Sequence, residues 1–106
     1  MDNQLIKEFN ERTIALYNEI HKETGYNATR FLQMISSSSG YEATKVLIRA
    51  NRVSEELTKL WEFKRLDLSI EAEILKEKWS PIFTCDEKAI AEKCLLELGY
   101  FPRNYK

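Results

Sequence analysis

The sequence predicts an all-α fold: a compact single-domain bundle of about six short helices with no sheet. Two observations support this prediction. The 106 residues include only three Gly and two Pro, which is too few turn formers for a β-sandwich or barrel. Apolar residues also recur at helical spacing along most of the chain. The length fits one domain, residues 1–106, with one modest core.

The apolar positions set the order of the first helices. A first helix has an apolar stripe of period 3.6 and ends at Gly25, which can supply a left-handed stop. A second helix, "ATRFLQMI" (28–35), is followed by the turn "SSSSG" (36–40) and a third helix, "YEATKVLIRAN" (41–51). The predicted core contains Phe9, Leu16, Phe31, Leu32, Val46, Leu47, Leu60, Trp61, Leu75, Ile90 and Leu95.

The stretch "LWEFKRLDLS" (60–69) is predicted to form a corner between the fourth and fifth helices. Asp67 and Ser69 can both cap the fifth helix, because their side-chain oxygens accept hydrogen bonds from the first backbone N–H groups. Arg65 can pair with Asp67, or with Glu62 three residues earlier. Capping and ion pairing account for these polar residues, so we expect a structural corner formed by Trp61, Arg65, Asp67 and Ser69.

Beyond the corner, "SIEAEILKEK" (69–78) is predicted to be a helix with Glu71, Glu73 and Glu77 on its surface. The segment "KWSPIF" is predicted to be a loop, because a proline disfavours helical geometry in the residue before it. Thr84 and Glu87 have the spacing of a capping box, which predicts the start of the last helix.

The sequence shows no catalytic or metal-binding constellation. One His and two Cys cannot form a zinc site at standard spacing, and there is no calcium loop or Gly-rich phosphate loop. His21 could be a general base, but a surface residue favoured by a helix C-terminus is the simpler interpretation. Cys85 could be a reactive thiol in a first helical turn, although Asp86 beside it opposes a thiolate. We expect no enzymatic activity, no catalytic residue, no metal and no cofactor.

Charge and cysteine usage indicate a cytoplasmic protein. The 16 basic and 17 acidic residues give a net charge of −1, so no global field attracts nucleic acid or an anionic membrane. The N-terminus lacks the pattern of a signal peptide, and no stretch has the length and hydrophobicity of a membrane span. Cys85 and Cys94 are predicted to lie on one helix, too far apart to bridge, and free thiols fit a reducing cytosol.

The third helix offers a local basic face that could bind nucleic acid. Its order after a helix and a serine turn matches a helix-turn-helix, and its cations are predicted to lie opposite Ala43, Val46 and Leu47. The alternative is an ordinary solvated face, and three cations supply few phosphate contacts. The candidate nucleic-acid-binding residues on 42–52 are Lys45, Arg49, Asn51 and Arg52.

Four segments in order resemble a known kind of domain: "GYNATRFLQMI" (25–35), "ATKVLI" (43–48), "LTKLWEFKRLDLSIEA" (57–72) and "PIFTCDEKAIAEKCLLELGY" (81–100). Together they are similar to a small helical domain of unassigned function that is widespread in bacterial proteins. The resemblance covers about residues 17–100, and its most specific part is the Leu-Trp-Glu to Arg-Leu-Asp-Leu-Ser run. It implies a single compact domain and brings no activity or catalytic residue with it.

These observations favour a small non-enzymatic accessory, adaptor or inhibitor module that binds a partner protein through a helical surface. Exposed aromatic residues are the expected contacts, because aromatic anchors dominate many interfaces. Packing of the same side chains against the last helix is an equal alternative. The candidate protein-binding residues are Trp79, Tyr100, Phe101 and Tyr105.

Overall fold

The structure is a computed structural model that describes residues 3–100 of the chain. Within that range it has six α-helices, two short 3₁₀ helices and no strand, so the predicted all-α fold is confirmed. The α-helices are α1 (Asn3–Thr24), α2 (Thr29–Ser37), α3 (Gly40–Arg49), α4 (Glu55–Glu62), α5 (Ile70–Ile74) and α6 (Cys85–Glu97). The 3₁₀ helices are Leu66–Leu68 and Glu77–Ile82.

The long helix α1 packs against α2, α3 and both 3₁₀ helices. It buries one stripe, Phe9, Thr13, Leu16 and Ile20, which has the predicted period. Gly25 follows with φ +76°, and its N–H donates to the His21 carbonyl at 2.8 Å. The left-handed stop predicted at Gly25 is therefore confirmed.

An aromatic cluster around Phe9 joins α1 to the second half of the chain. The Phe9 ring meets the rings of Trp79 and Phe83 edge to face, with centroids at 4.9 and 5.1 Å. Trp79 is 2% exposed, and its indole N–H donates to Glu73 Oε2 at 2.7 Å. The prediction that "KWSPIF" is a loop with an exposed Trp79 is wrong. The segment belongs to the 3₁₀ helix Glu77–Ile82, which includes Pro81 and turns the indole into the core.

The buried face of α3 also differs from the prediction. Gly40, Ala43, Thr44 and Ile48 are buried, whereas Val46 is 60% exposed. Because a Cβ on Gly40 would collide with the Thr13 side chain, the glycine lets the start of α3 lie directly on α1. Because of this contact, the buried face of α3 contains Thr44 and Ile48 instead of Val46.

The other residues of the predicted core are partly buried, exposed or fully buried. Leu47 and Ile90 are partly buried against the core, and Leu32 is 36% exposed. Trp61, which was predicted to be buried, is 48% exposed. The predicted core residues that are fully buried are Phe9, Leu16, Phe31, Leu60, Leu75 and Leu95.

The corner between α4 and α5 is held by a cap and by ion pairs. Ser69 Oγ accepts a hydrogen bond from the Ala72 N–H and donates one to the Leu66 carbonyl. The Arg65 guanidinium bonds Asp67 at 3.2 Å and also reaches Glu23 on α1 at 3.0 Å. Asp67 lies inside the first 3₁₀ helix, so Ser69 alone caps α5.

Candidate functional site

An open groove of ≈ 480 Å³ lies where the C-terminal ends of α4 and α6 meet the 3₁₀ helix Leu66–Leu68. We call it the corner groove. Its apolar wall is formed by Trp61, Leu66, Leu98 and Tyr100. Glu62, Lys64 and Asp67 supply the charged groups along it. The groove thus combines aromatic and aliphatic surface with charged groups of both signs.

Trp61 is the largest apolar side chain left exposed at this groove. It is 48% exposed, and Phe63, two residues later, is 45% exposed. The indole N–H of Trp61 donates to no other residue in the described part of the chain. Because large apolar groups at a protein surface often mark interaction sites, this corner is the best candidate for a binding surface.

Both helices that border the groove end in the same backbone motif. After α4, the Arg65 N–H donates to the Leu60 carbonyl and the Lys64 N–H to the Trp61 carbonyl. After α6, the corresponding bonds run from Tyr100 to Leu95 and from Gly99 to Leu96. This is the Schellman pattern, in which the residue after the C-cap adopts a left-handed conformation.

The left-handed position of the α4 motif is occupied by a lysine. Lys64 has φ +60°, whereas the corresponding residue of α6 is Gly99 with φ +79°. A left-handed conformation costs an L-residue roughly 1–2 kcal/mol, a strain that glycine does not have. Strained residues of this kind are common at binding sites, so Lys64 is a further candidate residue of the groove.

Replacing Lys64 with glycine should raise the free energy of unfolding by about 0.5–1 kcal/mol, because the steric strain disappears. Urea unfolding followed by circular dichroism measures the change. Gly99→Ala is the matched control, since a Cβ there meets no other atom within 4 Å and the variant acquires the strain alone. It should lose about 1 kcal/mol. A less stable Lys64→Gly protein would contradict this explanation.

Tyr100 is the sequence-predicted protein-binding residue that the structure places in the groove. It is half-buried, and burial together with the nearby Asp67 charge raises the pKa of its hydroxyl. Phe101 and Tyr105 lie outside the described residues. Trp79, the fourth candidate, is buried in the core and presents no surface to a partner.

The predicted basic face of α3 is not a row of free cations. The Lys45 ammonium lies 2.8 Å from Glu87 Oε1, and its side chain is 12% exposed. Arg49 also approaches Glu87, at 3.7 Å. Asn51 and Arg52 are exposed after the helix, and Arg52 has no ion pair within residues 3–100. The expectation that Lys45 faces solvent is wrong, because Glu87 on α6 draws it into an interhelical ion pair.

A second open groove, ≈ 440 Å³ in volume, lies beside the exposed Cys85. Its lysines are already engaged: Lys88 donates to Ser80, and Lys76 pairs with Glu73. His21 is exposed in the last turn of α1. Groups of three or more His, Cys, Asp or Glu that could hold a metal ion do not occur among residues 3–100.

Two acidic residues are buried that the sequence does not predict to be buried. Glu71 and Glu73, expected on the surface of the fifth helix, are 3% and 4% exposed. Glu73 is paired with Arg12 and bonded to Trp79, whereas Glu71 lines a small apolar cavity together with Glu56. No residue spacing indicates this burial, because α5 has only five residues and no clear polar face.

Comparisons with known proteins give no relationship for this chain: no family model, curated protein or solved structure matches it. In residues 3–100, no helix has both the length and the apolar character needed to cross a membrane.

Proposed function

We propose that this chain is a small accessory, adaptor or inhibitor module, without catalysis of its own, that binds a partner protein through the corner groove. The observation that supports the proposal is the exposure of Trp61 at the wall of the groove. Tryptophan and tyrosine are enriched among the residues that dominate protein interfaces. Trp61 and Tyr100 would be the anchors here.

The chemistry of Trp61 suits a protein partner. About half of its surface is already packed on the domain, so little rotational freedom remains to be lost on binding. The exposed remainder combines an apolar ring with a free N–H donor, which can bury area and still form one directed hydrogen bond. A protruding side chain of the partner would fill the space between Trp61, Leu98 and Tyr100.

The frame around the groove supports the same proposal. Arg65 connects the corner to α1 through Glu23 and to the 3₁₀ helix through Asp67. Ser69 caps α5, and Leu66 and Leu68 are buried below. An anchor held on such a frame needs little reorganisation when a partner binds. These residues therefore hold the groove in position, whereas Trp61 would contact the partner protein.

Binding can be tested with the wild-type chain and two single variants. The immobilised chain captures candidate partners from a native lysate, and each purified candidate is then titrated by calorimetry. Trp61→Ala should weaken binding at least about 30-fold, which corresponds to a hot spot of about 2 kcal/mol. Ile14→Ala is the matched control, since Ile14 is 49% exposed on α1 and does not line the groove. It should bind like the wild type.

Two outcomes would overturn the proposal. One is a purified partner that binds Trp61→Ala and wild type equally. The other is recovery of nucleic acid alone, with an affinity that falls steeply with salt and depends on Arg52; this would support the alternative nucleic-acid module on residues 42–52. Arg65→Ala is a further check: it should melt at a lower temperature but still bind, because Arg65 supports the corner without forming the groove wall.

A further inference from the structure

A small cavity of ≈ 20 Å³ inside the helical bundle is lined by two glutamates, by Ser54 and otherwise by apolar residues. Leu16, Phe31, Leu57 and Leu60 form much of its wall. Glu56 reaches it from α4 and Glu71 from α5, and no Lys, Arg or His lines it. Two negative charges without a cation would be unfavourable in this environment.

One buried carboxylate oxygen at this cavity has no hydrogen-bond partner. Glu71 is 3% exposed, and apart from its own backbone N–H no group in the described chain bonds its carboxylate. Glu56 Oε2 is buried and has no hydrogen-bond partner. Protonation of Glu71 would remove one of the two negative charges. The O–H of the resulting carboxylic acid could also donate a hydrogen bond to Glu56 Oε2.

We propose that Glu71 holds a proton, which it donates across the cavity to Glu56, and that loss of this proton loosens the α4–α5 corner that carries Trp61. The cavity has room for one water molecule to relay the bond. When the proton passes to a base in solution, two carboxylates face each other across the cavity. Their repulsion acts between the two helices that meet at the corner.

The surroundings of Glu71 support this assignment. Burial raises its pKa to about 7, and the charge of Glu56 acts in the same direction. From α6 the Cys94 thiol faces Glu71, and burial raises the pKa of this thiol to about 11, so it stays neutral. Burial raises the pKa of the Tyr26 hydroxyl, and the charges of Glu56 and Glu55 raise it further. From α1, α2 and α3 the cavity receives only apolar side chains.

The expected direction of the pH effect follows from the raised pKa. The folded protein binds the Glu71 proton more tightly than the unfolded chain, whose glutamates have a pKa near 4.5. The stabilisation is therefore complete below about pH 4.5, decreases as the pH rises toward about 7, and is absent above it. Within the folded state, the corner should change with a midpoint near pH 7.

This inference depends on the fold alone, so it can fail or succeed independently of partner binding. The test follows the indole signals of Trp61 and Trp79 by NMR from pH 5 to 9 in the free protein. We expect the Trp61 signal to shift with a midpoint near 7 and the Trp79 signal to change less. Glu71→Gln, which keeps a neutral donor in place, should abolish the transition and hold Trp61 in its low-pH position.

Two matched controls test whether the transition arises from Glu56 and Glu71. Glu55→Gln removes an exposed carboxylate next to Glu56 on α4 and should leave the midpoint unchanged. His21→Gln should also leave it unchanged, because His21 is exposed in the last turn of α1 and does not line the cavity. Glu56→Gln should move the midpoint to lower pH, since the charge that opposes ionisation of Glu71 is gone.

Thermal and urea unfolding provide a second measurement. Relative to Glu71→Gln, the unfolding constant of the wild type should rise about tenfold per pH unit between pH 5 and 7 and then level off. A Trp61 signal that is insensitive to pH would overturn the proposal. So would a transition that survives in Glu71→Gln, or a midpoint that Glu56→Gln does not move.

Discussion

Replacing Trp79 with alanine should lower the free energy of unfolding by roughly 3–5 kcal/mol, whereas Trp61→Ala should lower it by about 1 kcal/mol or less. Trp79 is 2% exposed, and its ring packs on Phe9 at 4.9 Å. Its removal leaves a cavity and deprives Glu73 Oε2 of an indole donor. Trp61 is half exposed, so its removal gives up much less packing. The loss of stability on replacement by alanine thus distinguishes the buried tryptophan from the exposed one.

Urea unfolding monitored by far-ultraviolet circular dichroism measures both variants on the same scale. Trp79→Phe is the matched control for Trp79, because it restores most of the ring packing but not the hydrogen bond to Glu73. It should fall between the wild type and Trp79→Ala. Equal losses for Trp61→Ala and Trp79→Ala would show that Trp61 belongs to the core, and the corner groove would lose its anchor.

Lys45→Glu should destabilise the domain by roughly 3–5 kcal/mol, because it turns a mostly buried ion pair into two facing carboxylates. The Lys45 ammonium bonds Glu87 Oε1 at 2.8 Å and lies 5.1 Å from the centre of the Tyr41 ring. Burial alone would lower the pKa of Lys45, but the hydrogen bonds and charges of Glu87 and Tyr41 together outweigh burial and raise this pKa. Glu87 also closes the capping box with the Thr84 N–H, so the damage would reach the start of α6.

Arg52→Glu makes the same charge reversal at an exposed residue without an ion pair in the described chain. Its effect should stay within about 0.5 kcal/mol. Thermal melting of both variants at pH 7 gives the comparison. If Lys45→Glu melted like the wild type, the contact with Glu87 would contribute little, and the α3 face would again be a candidate for phosphate binding.

The parts of the fold that the sequence predicted depend on neighbours along the chain. The stripe of α1 could be recognised because the helix is 22 residues long and shows its period clearly. The helix ends at Thr24, just before the left-handed Gly25. The capping box of Thr84 and Glu87 forms as expected, since all its atoms lie within one turn. Ser69 caps α5 for the same reason. Helix order and these boundaries could therefore be predicted without any knowledge of packing. The end of the fifth helix could not: the prediction extends it over 69–78, but α5 covers only Ile70–Ile74.

The candidate site could be predicted only in part. The sequence predicts Tyr100 as a binding residue, and Tyr100 lies in the corner groove. It also predicts a buried Trp61 and an exposed Trp79, and the structure shows the reverse for both. Both tryptophans lie in short segments, where a helical period extends over too few residues to define an inward face. The exposure of each was decided by whether a distant partner, such as Phe9 for Trp79, lay within reach.

The sequence by itself determined an all-α domain, the order of its helices, and their caps and stops, because these depend on backbone hydrogen bonds and on apolar spacing over a few residues. The tertiary structure decided which face each short helix buries. Gly40 lets α3 lie on Thr13, which turns Val46 outward, and Glu87 draws Lys45 away from solvent. It also placed Glu71 and Glu56 on the wall of one cavity, and Trp61, Leu98 and Tyr100 on the wall of one groove. Contacts between residues far apart in the chain depend on the relative orientation of the helices, which no local pattern specifies.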